Sequence, residues 1–349
     1  HRDLHSFPTR RSFDLLVDLS ECTTGPFIEV STMVSEPEGN DRLRLGISED
    51  YAGYLPSLGI RGNMSVYVSG TWTLSFNQRV ANGNVIVVGN GGKVVIPEGM
   101  TLSALSSGNG EAGQIYVLPG GEITGEGTLE YNTGSGTYSY NAGVIQTKEI
   151  RLNGCCLYNN GTLGSQGSMS TSVTCEAKGG AQGELINRGG ARLQQIKGNN
   201  FSLQNAANMI VATELTLSES SRFDDWSYTQ CPSLVLKGSA QGDKVAFMGN
   251  GATIETTDIT IENFGVWGPT GNNFSANALL KVDNCNGCVT TDGQAGTYLL
   301  DHVELILPES FSVDYNNDHI SDNNRLFYYW LNAYEGRLID NHNYHWAQV

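Results

Sequence analysis

Leu157-Tyr-Asn-Asn-Gly161 is the stretch that decides the fold, because its pattern returns along the chain. The pattern is an apolar residue, any residue, asparagine, any residue and a small residue. Further copies are Leu185-Ile-Asn-Arg-Gly189, Leu203-Gln-Asn-Ala-Ala207 and Ile261-Glu-Asn-Phe-Gly265, and Val282-Asp-Asn-Cys-Asn286 is a looser one. They begin at residues 157, 185, 203, 261 and 282, an irregular period that lies in the range of solenoid repeats.

A second repeated unit lies upstream and contains paired glycines. In this unit an apolar residue and two spacer residues precede Gly-Gly, and a charged residue follows it. The two copies are Val88-Gly-Asn-Gly-Gly-Lys-Val-Val95 and Val117-Leu-Pro-Gly-Gly-Glu-Ile-Thr124. Short runs such as Asn84-Val-Ile-Val-Val88 and His302-Val-Glu-Leu-Ile-Leu307 supply β-branched and aliphatic residues, and no helical period is sustained between 80 and 307. These features predict short strands separated by turns.

Stacked coils account for both repeats. Corners of a parallel β-solenoid often need positive φ, which glycine adopts freely and asparagine tolerates best among the other residues. Asparagines at one corner of successive coils can also hydrogen-bond along the stack, as amide ladders do in cross-β structures. We therefore predict an all-β parallel β-helix of eight to ten coils, roughly 40–50 Å long at ~4.8 Å per coil. A β-sandwich or jelly roll is the competing fold, but it does not explain the recurring corner.

The sequence divides into four segments. Residues 1–15 resemble a translated sequencing adapter, and we expect them to be a non-native artefact. Residues 16–79 are predicted to form a small β region or N-terminal cap, and residues 80–307 the solenoid. Residues 308–349 are predicted to be an irregular C-terminal segment or the start of another domain.

Composition restricts the partners. The chain has 349 residues, a formal net charge of -16 and only 16% charged residues, with 43 glycines and 9 prolines. Such acidity argues against nucleic acid or an anionic membrane as a partner. No run of 18 apolar residues is present, so no transmembrane segment is predicted. An extracellular ligand or glycan is the expected partner class.

A family resemblance adds to this interpretation. Ile96-Pro-Glu-Gly-Met-Thr-Leu102, Val117-Leu-Pro-Gly-Gly-Glu-Ile-Thr-Gly-Glu-Gly-Thr-Leu129, Tyr140-Asn-Ala-Gly-Val144 and Leu157-Tyr-Asn-Asn-Gly-Thr-Leu163 resemble the Gly/Asn-rich solenoid of Bacteroidetes surface proteins that carry an LruC-type domain. The resemblance implies an exported, non-catalytic and adhesive protein at the cell surface or outer membrane.

The most specific local pattern for a ligand is Asp314-Tyr-Asn-Asn-Asp-His-Ile-Ser-Asp322. Calcium takes six to eight oxygen ligands, and alternate positions of one loop can direct several of them inward. His319 replaces the glycine of the sharp turn, and Arg325 stands where a bidentate glutamate belongs. The stretch is therefore either a polar linker or a calcium loop whose ligands would be Asp314, Asn316, Asp318, the Ile320 carbonyl and Asp322.

The cysteines support several interpretations. Cys285-Asn-Gly-Cys288 is half of a zinc pattern, but a local disulfide or burial as small hydrophobic residues is favoured over a metal site. Cys156, Cys175 and Cys231 are expected to stack inside the solenoid in the same way.

Catalysis has one weak candidate cluster, which consists of Asp224-Asp225 with Arg222 and Lys237 nearby. A solvated corner loop ahead of Trp226 is the favoured explanation of these residues. The aromatic stretch Leu326–Leu331, with Tyr344 and Trp346, is either a buried core or a sugar-stacking platform. We predict a non-catalytic structural or adhesive stalk of an exported bacterial surface protein. The alternative is a carbohydrate-active β-helix, either lyase- or glycosidase-like or glycan-binding.

Overall fold

The computed structural model shows a β-solenoid of about nine turns, which confirms the predicted all-β parallel architecture. It describes residues 19–24, 26–33, 43–106, 111–133, 137–165, 167, 170–176, 182–237, 245–249, 253–262, 266–267, 278–286, 303–306, 337–340 and 343–346. Its short helices are α1 (Ser20–Thr23) and the 3-10 turns Val30–Thr32 and Pro56–Gly59.

Sheet A is a stack of 12 strands in chain order. They are β1 (Ile28–Glu29), β2 (Leu43–Ile47), β4 (Met64–Val68), β7 (Val85–Val88), β10 (Gln114–Val117), β12 (Tyr138–Asn141), β14 (Cys156–Asn159), β17 (Gly183–Asn187), β19 (Phe201–Asn205), β21 (Arg222–Asp225), β23 (Val245–Gly249) and β25 (Val266–Trp267).

The other strands form sheet B. They are β3 (Tyr51–Gly53), β5 (Thr71–Leu74), β6 (Gln78–Val80), β8 (Lys93–Val95), β9 (Thr101–Leu105), β11 (Glu122–Asn132), β13 (Val144–Leu152), β15 (Thr162–Gly164), β16 (Ser172–Glu176), β18 (Gly190–Asn199), β20 (Asn208–Ser218), β22 (Tyr228–Lys237), β24 (Thr253–Glu262), β26 (Ala278–Asn286), β27 (Val303–Ile306), β28 (Arg337–Asp340) and β29 (Asn343–Trp346).

Sheet B bends along its length. β8 and β9 pair with the two ends of β11, and a register shift separates Gly125 from Thr128 between those ends. Gly125 has a φ of 120°, a conformation that side-chain-bearing residues rarely adopt. The main apolar core lies between sheet A and sheet B.

The core consists of apolar, mostly aliphatic residues at alternate strand positions. Leu157, Leu185, Leu203 and Phe223 are in register on neighbouring strands of sheet A and are completely buried. Each fully buried side chain of this size contributes about 1.5–3 kcal/mol relative to exposure. The intervening residues of each strand point away from the core.

Parallel stacking excludes the sandwich alternative. The named strands of the described residues pair in parallel, with the exception of the antiparallel pair β28–β29. The stacking begins ahead of residue 80, because β2 pairs with β4 and β4 with β7. Within the described residues, no helix has the length and apolar character needed to cross a membrane.

Candidate functional site

A buried ladder of side-chain amides runs along the corner at the end of sheet A. The Nδ2 group of Asn141 donates to Oδ1 of Asn159 (2.7 Å), Asn159 donates to Asn187 (2.8 Å), and Asn187 donates to Asn205 (2.8 Å). Asn205 then donates to Oδ1 of Asp225 (3.0 Å). We call these five residues the asparagine ladder. All five are completely buried, so water cannot supply their hydrogen bonds. The side chains of the neighbouring coils supply them instead.

The last residue of the ladder is an acceptor. Asp225 also accepts from the Ser227 amide (3.0 Å) and from the Thr229 hydroxyl (2.6 Å). Burial raises the pKa of Asp225 to about 6, although these hydrogen bonds oppose the shift. Val117 and Gly249 occupy the equivalent position in the coils on either side, so the ladder has five members.

In three of the ladder coils the residue two positions after the asparagine is a glycine (Gly143, Gly161 and Gly189) that the close approach of the coils requires, whereas Ala207 holds this position after Asn205. A Cβ atom on Gly189 would lie 2.0 Å from the carbonyl oxygen of Gly161, and one on Gly161 would lie 2.1 Å from that of Gly143. The prediction that these corner asparagines adopt positive φ is wrong, because none of the ladder asparagines does so. Among the described non-glycine residues, positive φ occurs only at Asn63, Asn82, Asn200 and Glu219.

The repeat pattern locates three ladder members and misplaces two copies. Ile261 and Val282 lie in β24 and β26 of sheet B, so neither copy is at the sheet A corner. The pattern does not find Asn141, because Ser139 stands where the pattern has an apolar residue. It does not find Asp225, because that residue is an aspartate and not an asparagine. The spacings of 18 and 20 residues to their ladder neighbours are the signal that could have identified them.

The predicted cluster of Asp224 and Asp225 does not form, because successive residues of a strand point to opposite sides of the sheet. Asp225 points inward into the ladder, whereas Asp224 lies on the outer side of sheet A, where Arg222 Nε donates to its Oδ2 (2.6 Å). Burial raises the pKa of Asp224, and Arg222 opposes that shift. Lys237 ends β22 in sheet B. The described residues therefore do not assemble the lyase-like cluster.

The outer side of sheet A carries a patch of aromatic and polar residues, Tyr138, Tyr158, Glu184, Ser202 and Gln204, which we call the outer patch. The rings of Tyr138 and Tyr158 lie 5.5 Å apart, and Tyr138 is 46% exposed. Glu184 Oε1 accepts from Gln204 Nε2 (2.7 Å) and from the Ser202 hydroxyl (3.3 Å). The two hydrogen bonds hold the carboxylate beside the tyrosines.

A segment preceding β1 covers the same side of sheet A in the earlier coils. Phe27 stacks on Tyr67 with ring centroids 5.5 Å apart. Cys22 packs in a separate apolar cluster with Val87 and Tyr116. Because Tyr116, Tyr140 and Tyr158 are in register, the outer patch continues the row that this segment covers.

Cys155, Cys156, Cys175 and Cys231 are buried and form no disulfide. Cys175 and Cys231 lie in the main core, as predicted, together with Cys155. The placement of Cys156 in the core is wrong, because it precedes the inward-facing Leu157 and lies opposite Glu184 on the outer side. Burial raises the pKa of Cys175 and of Cys231 to about 12.

Several predicted sites lie outside the described residues. The calcium loop, with Asp314, Asn316, Asp318, Ile320 and Asp322, is among them, as are residues 1–15, Cys288 and the aromatic stretch 326–331. Cys285 lies in β26. In the part of the chain that the structure describes, no group of three or more His, Cys, Asp or Glu residues could hold a metal ion.

Comparisons with known proteins find no matching family model, no similar curated protein and no similar solved structure.

Proposed function

We propose that this protein is a non-catalytic structural and adhesive stalk of an exported bacterial surface protein. The observation that carries the proposal is the continuity of the interior. One apolar core extends from Val30 to Ile254, and the asparagine ladder joins five coils within it. Stacked coils of this kind form an elongated support, because each coil contacts mainly its neighbours.

The thiols and the net charge are compatible with an extracytoplasmic location. An oxidising compartment modifies thiolates, and burial keeps Cys155, Cys175 and Cys231 protonated at neutral pH. A net charge of -16 favours solubility outside the cell.

The test is labelling of intact cells. The full-length gene would be expressed in a bacterial host, and an antibody raised against the solenoid would be applied before and after lysis. Labelling of intact cells supports the stalk, and labelling only after lysis contradicts it. An unrelated cytoplasmic protein with its own antibody serves as the control for leakage.

The second candidate function, a carbohydrate-binding β-helix, is favoured by the outer patch. Tyrosine rings beside a positioned carboxylate suit sugar binding, whereas Asp224 and Asp225 face opposite sides of their strand. Within the described residues, this arrangement favours binding over hydrolysis or elimination, because such chemistry needs convergent carboxylates on one face.

A further inference from the structure

We infer that the outer patch binds a neutral polysaccharide chain that runs along the solenoid axis. The inference rests on the adhesive part of the proposed function and names its ligand class. Tyr138, Tyr158, Glu184 and Gln204 lie on four successive strands of sheet A, β12, β14, β17 and β19. At ~4.8 Å per coil they extend over about 15 Å, long enough for several sugar units.

The aromatic end of the patch supplies the apolar contact. Tyr138 is 46% exposed although it packs against the ring of Tyr158, so part of its ring is accessible to a ligand. A tyrosine offers a rigid apolar surface and a polar hydroxyl at little entropic expense, a combination suited to the mixed surface of a sugar ring.

The polar end of the patch supplies directional hydrogen bonds. Both bonds that Glu184 receives, from Gln204 and Ser202, end on Oε1. Glu184 also forms a side-chain hydrogen bond with Cys156. An ionised carboxylate has about four acceptor sites, so it can accept from a sugar hydroxyl as well. A carboxylate already oriented by two donors loses little freedom on binding, which favours affinity.

The negative charge of the protein favours a neutral polysaccharide as the ligand. Glu184 lies at the centre of the outer patch, and the protein as a whole carries a net charge of -16. A polyuronic acid would be repelled by both. Past Gln204, the next strand presents Asp224, whose carboxylate is buried and bonded to Arg222, and this pair marks the end of the patch.

The boundary at the other end is the segment that contains Cys22 and Phe27. It packs over Val87 and Tyr116 and against the ring of Tyr67. The ligand is therefore confined to the coils from Tyr138 to Gln204, which gives the inference a defined location for mutagenesis.

The experiment is affinity electrophoresis of the full chain in gels that contain hydroxyethyl cellulose, dextran, galactomannan or, as the anionic probe, polygalacturonate. At least one neutral polymer should retard the protein, and polygalacturonate should not. Tyr138→Ala should raise the apparent Kd about tenfold, the equivalent of ~1.4 kcal/mol. Tyr138→Phe should keep most of the binding because it keeps the ring.

Phe76→Ala is the matched control, because Phe76 is another exposed ring, 67% accessible, outside the outer patch. Far-ultraviolet circular dichroism would establish that each variant is folded. The inference is overturned if no neutral polymer retards the protein, if Tyr138→Ala binds as the wild type does, or if polygalacturonate binds equally well. Because the assay uses purified protein, its failure leaves the cell-labelling test of the stalk unaffected.

Discussion

The side-chain amide of Asn205 donates a hydrogen bond of 3.0 Å to the carboxylate of Asp225, and this bond ends the asparagine ladder. Every earlier member both donates its Nδ2 hydrogen to the next coil and offers Oδ1 to a donor. Asp225 can only accept when it is ionised, so it suits the terminal position next to Gly249. The ladder thus has a direction, from amide donors to a carboxylate acceptor.

Removal of a central ladder member should destabilise the solenoid. Asn187→Ala deprives Asn159 of its acceptor at 2.8 Å and Asn205 of its donor, both in a fully buried corner. We expect a loss of about 2–4 kcal/mol in the free energy of unfolding, because two buried polar groups lose partners. Urea denaturation measures it.

Gln204→Ala is the control for that variant. Gln204 is in the neighbouring coil on the outer side of the same sheet, where it bonds to Glu184. A loss of no more than about 1 kcal/mol is expected, as at other partly exposed sites. Equal losses for the two variants would contradict a stabilising role for the ladder.

Asp225 should make stability fall as pH rises from about 4 to 6. Burial raises the pKa of Asp225 from 3.8 to about 6 in the folded state, so the folded protein binds this proton more tightly than the unfolded chain does. The free energy of unfolding therefore decreases across this interval and is level above it. Asp225→Asn should remove this dependence.

The measurement is urea denaturation of both proteins at a series of pH values. The stability of Asp225→Asn relative to wild type should increase by up to about 3 kcal/mol between pH 4 and 6.5. Other titrating groups, including Asp224, cancel in the difference. A difference that stays flat with pH would show that the carboxylate is not perturbed.

Two adjacent glycines should differ sharply in their tolerance of alanine. A Cβ on Gly189 would lie 2.0 Å from the Gly161 carbonyl oxygen, whereas one on Gly190 would meet no atom within 4 Å. We expect Gly189→Ala to lose at least about 2 kcal/mol and Gly190→Ala to be neutral or slightly stabilising. Thermal unfolding of the pair measures the contrast, and similar melting temperatures would refute the close approach.

The core thiols should resist alkylation in the native protein. Burial raises the pKa of Cys175 and Cys231 to about 12, and burial also raises the pKa of Cys155 far above that of a free thiol. Iodoacetamide at pH 8 should modify these residues only after urea is added, as read by peptide mass spectrometry. Modification at the same rate in both states would place the thiols at the surface.

The loop that contains Asp314 and Asp318 gives a prediction from sequence alone. If its carboxylates bind calcium, a chelator should lower the melting temperature of the protein, because bound metal stabilises the folded state. Asp318→Asn should reduce the effect of the chelator, since it removes one charged ligand. An unchanged melting temperature after chelation would leave the loop as a polar linker.

Much of the architecture could be predicted because the ladder residues are adjacent in space and alike in sequence. Asn159, Asn187 and Asn205 each follow an apolar residue by two positions, and that spacing places both on the inner side of a strand. The coil length could not be predicted, since it ranges from 17 residues between Ile28 and Leu45 to 29 between Ile86 and Ile115. The lengths of the segments that connect the strands of sheet A differ accordingly.

The sequence alone determined that short β-strands repeat, that asparagine and glycine recur at a corner, and that the chain is strongly acidic. Only the tertiary structure decided which copies share a corner, because Ile261 matches the pattern yet lies in sheet B. It also decided that Asp224 and Asp225 face opposite sides and that Tyr138 lies beside Tyr158. The physical reason is that local pattern fixes which way a side chain points along its own strand, whereas its neighbours across the stack depend on the register between coils.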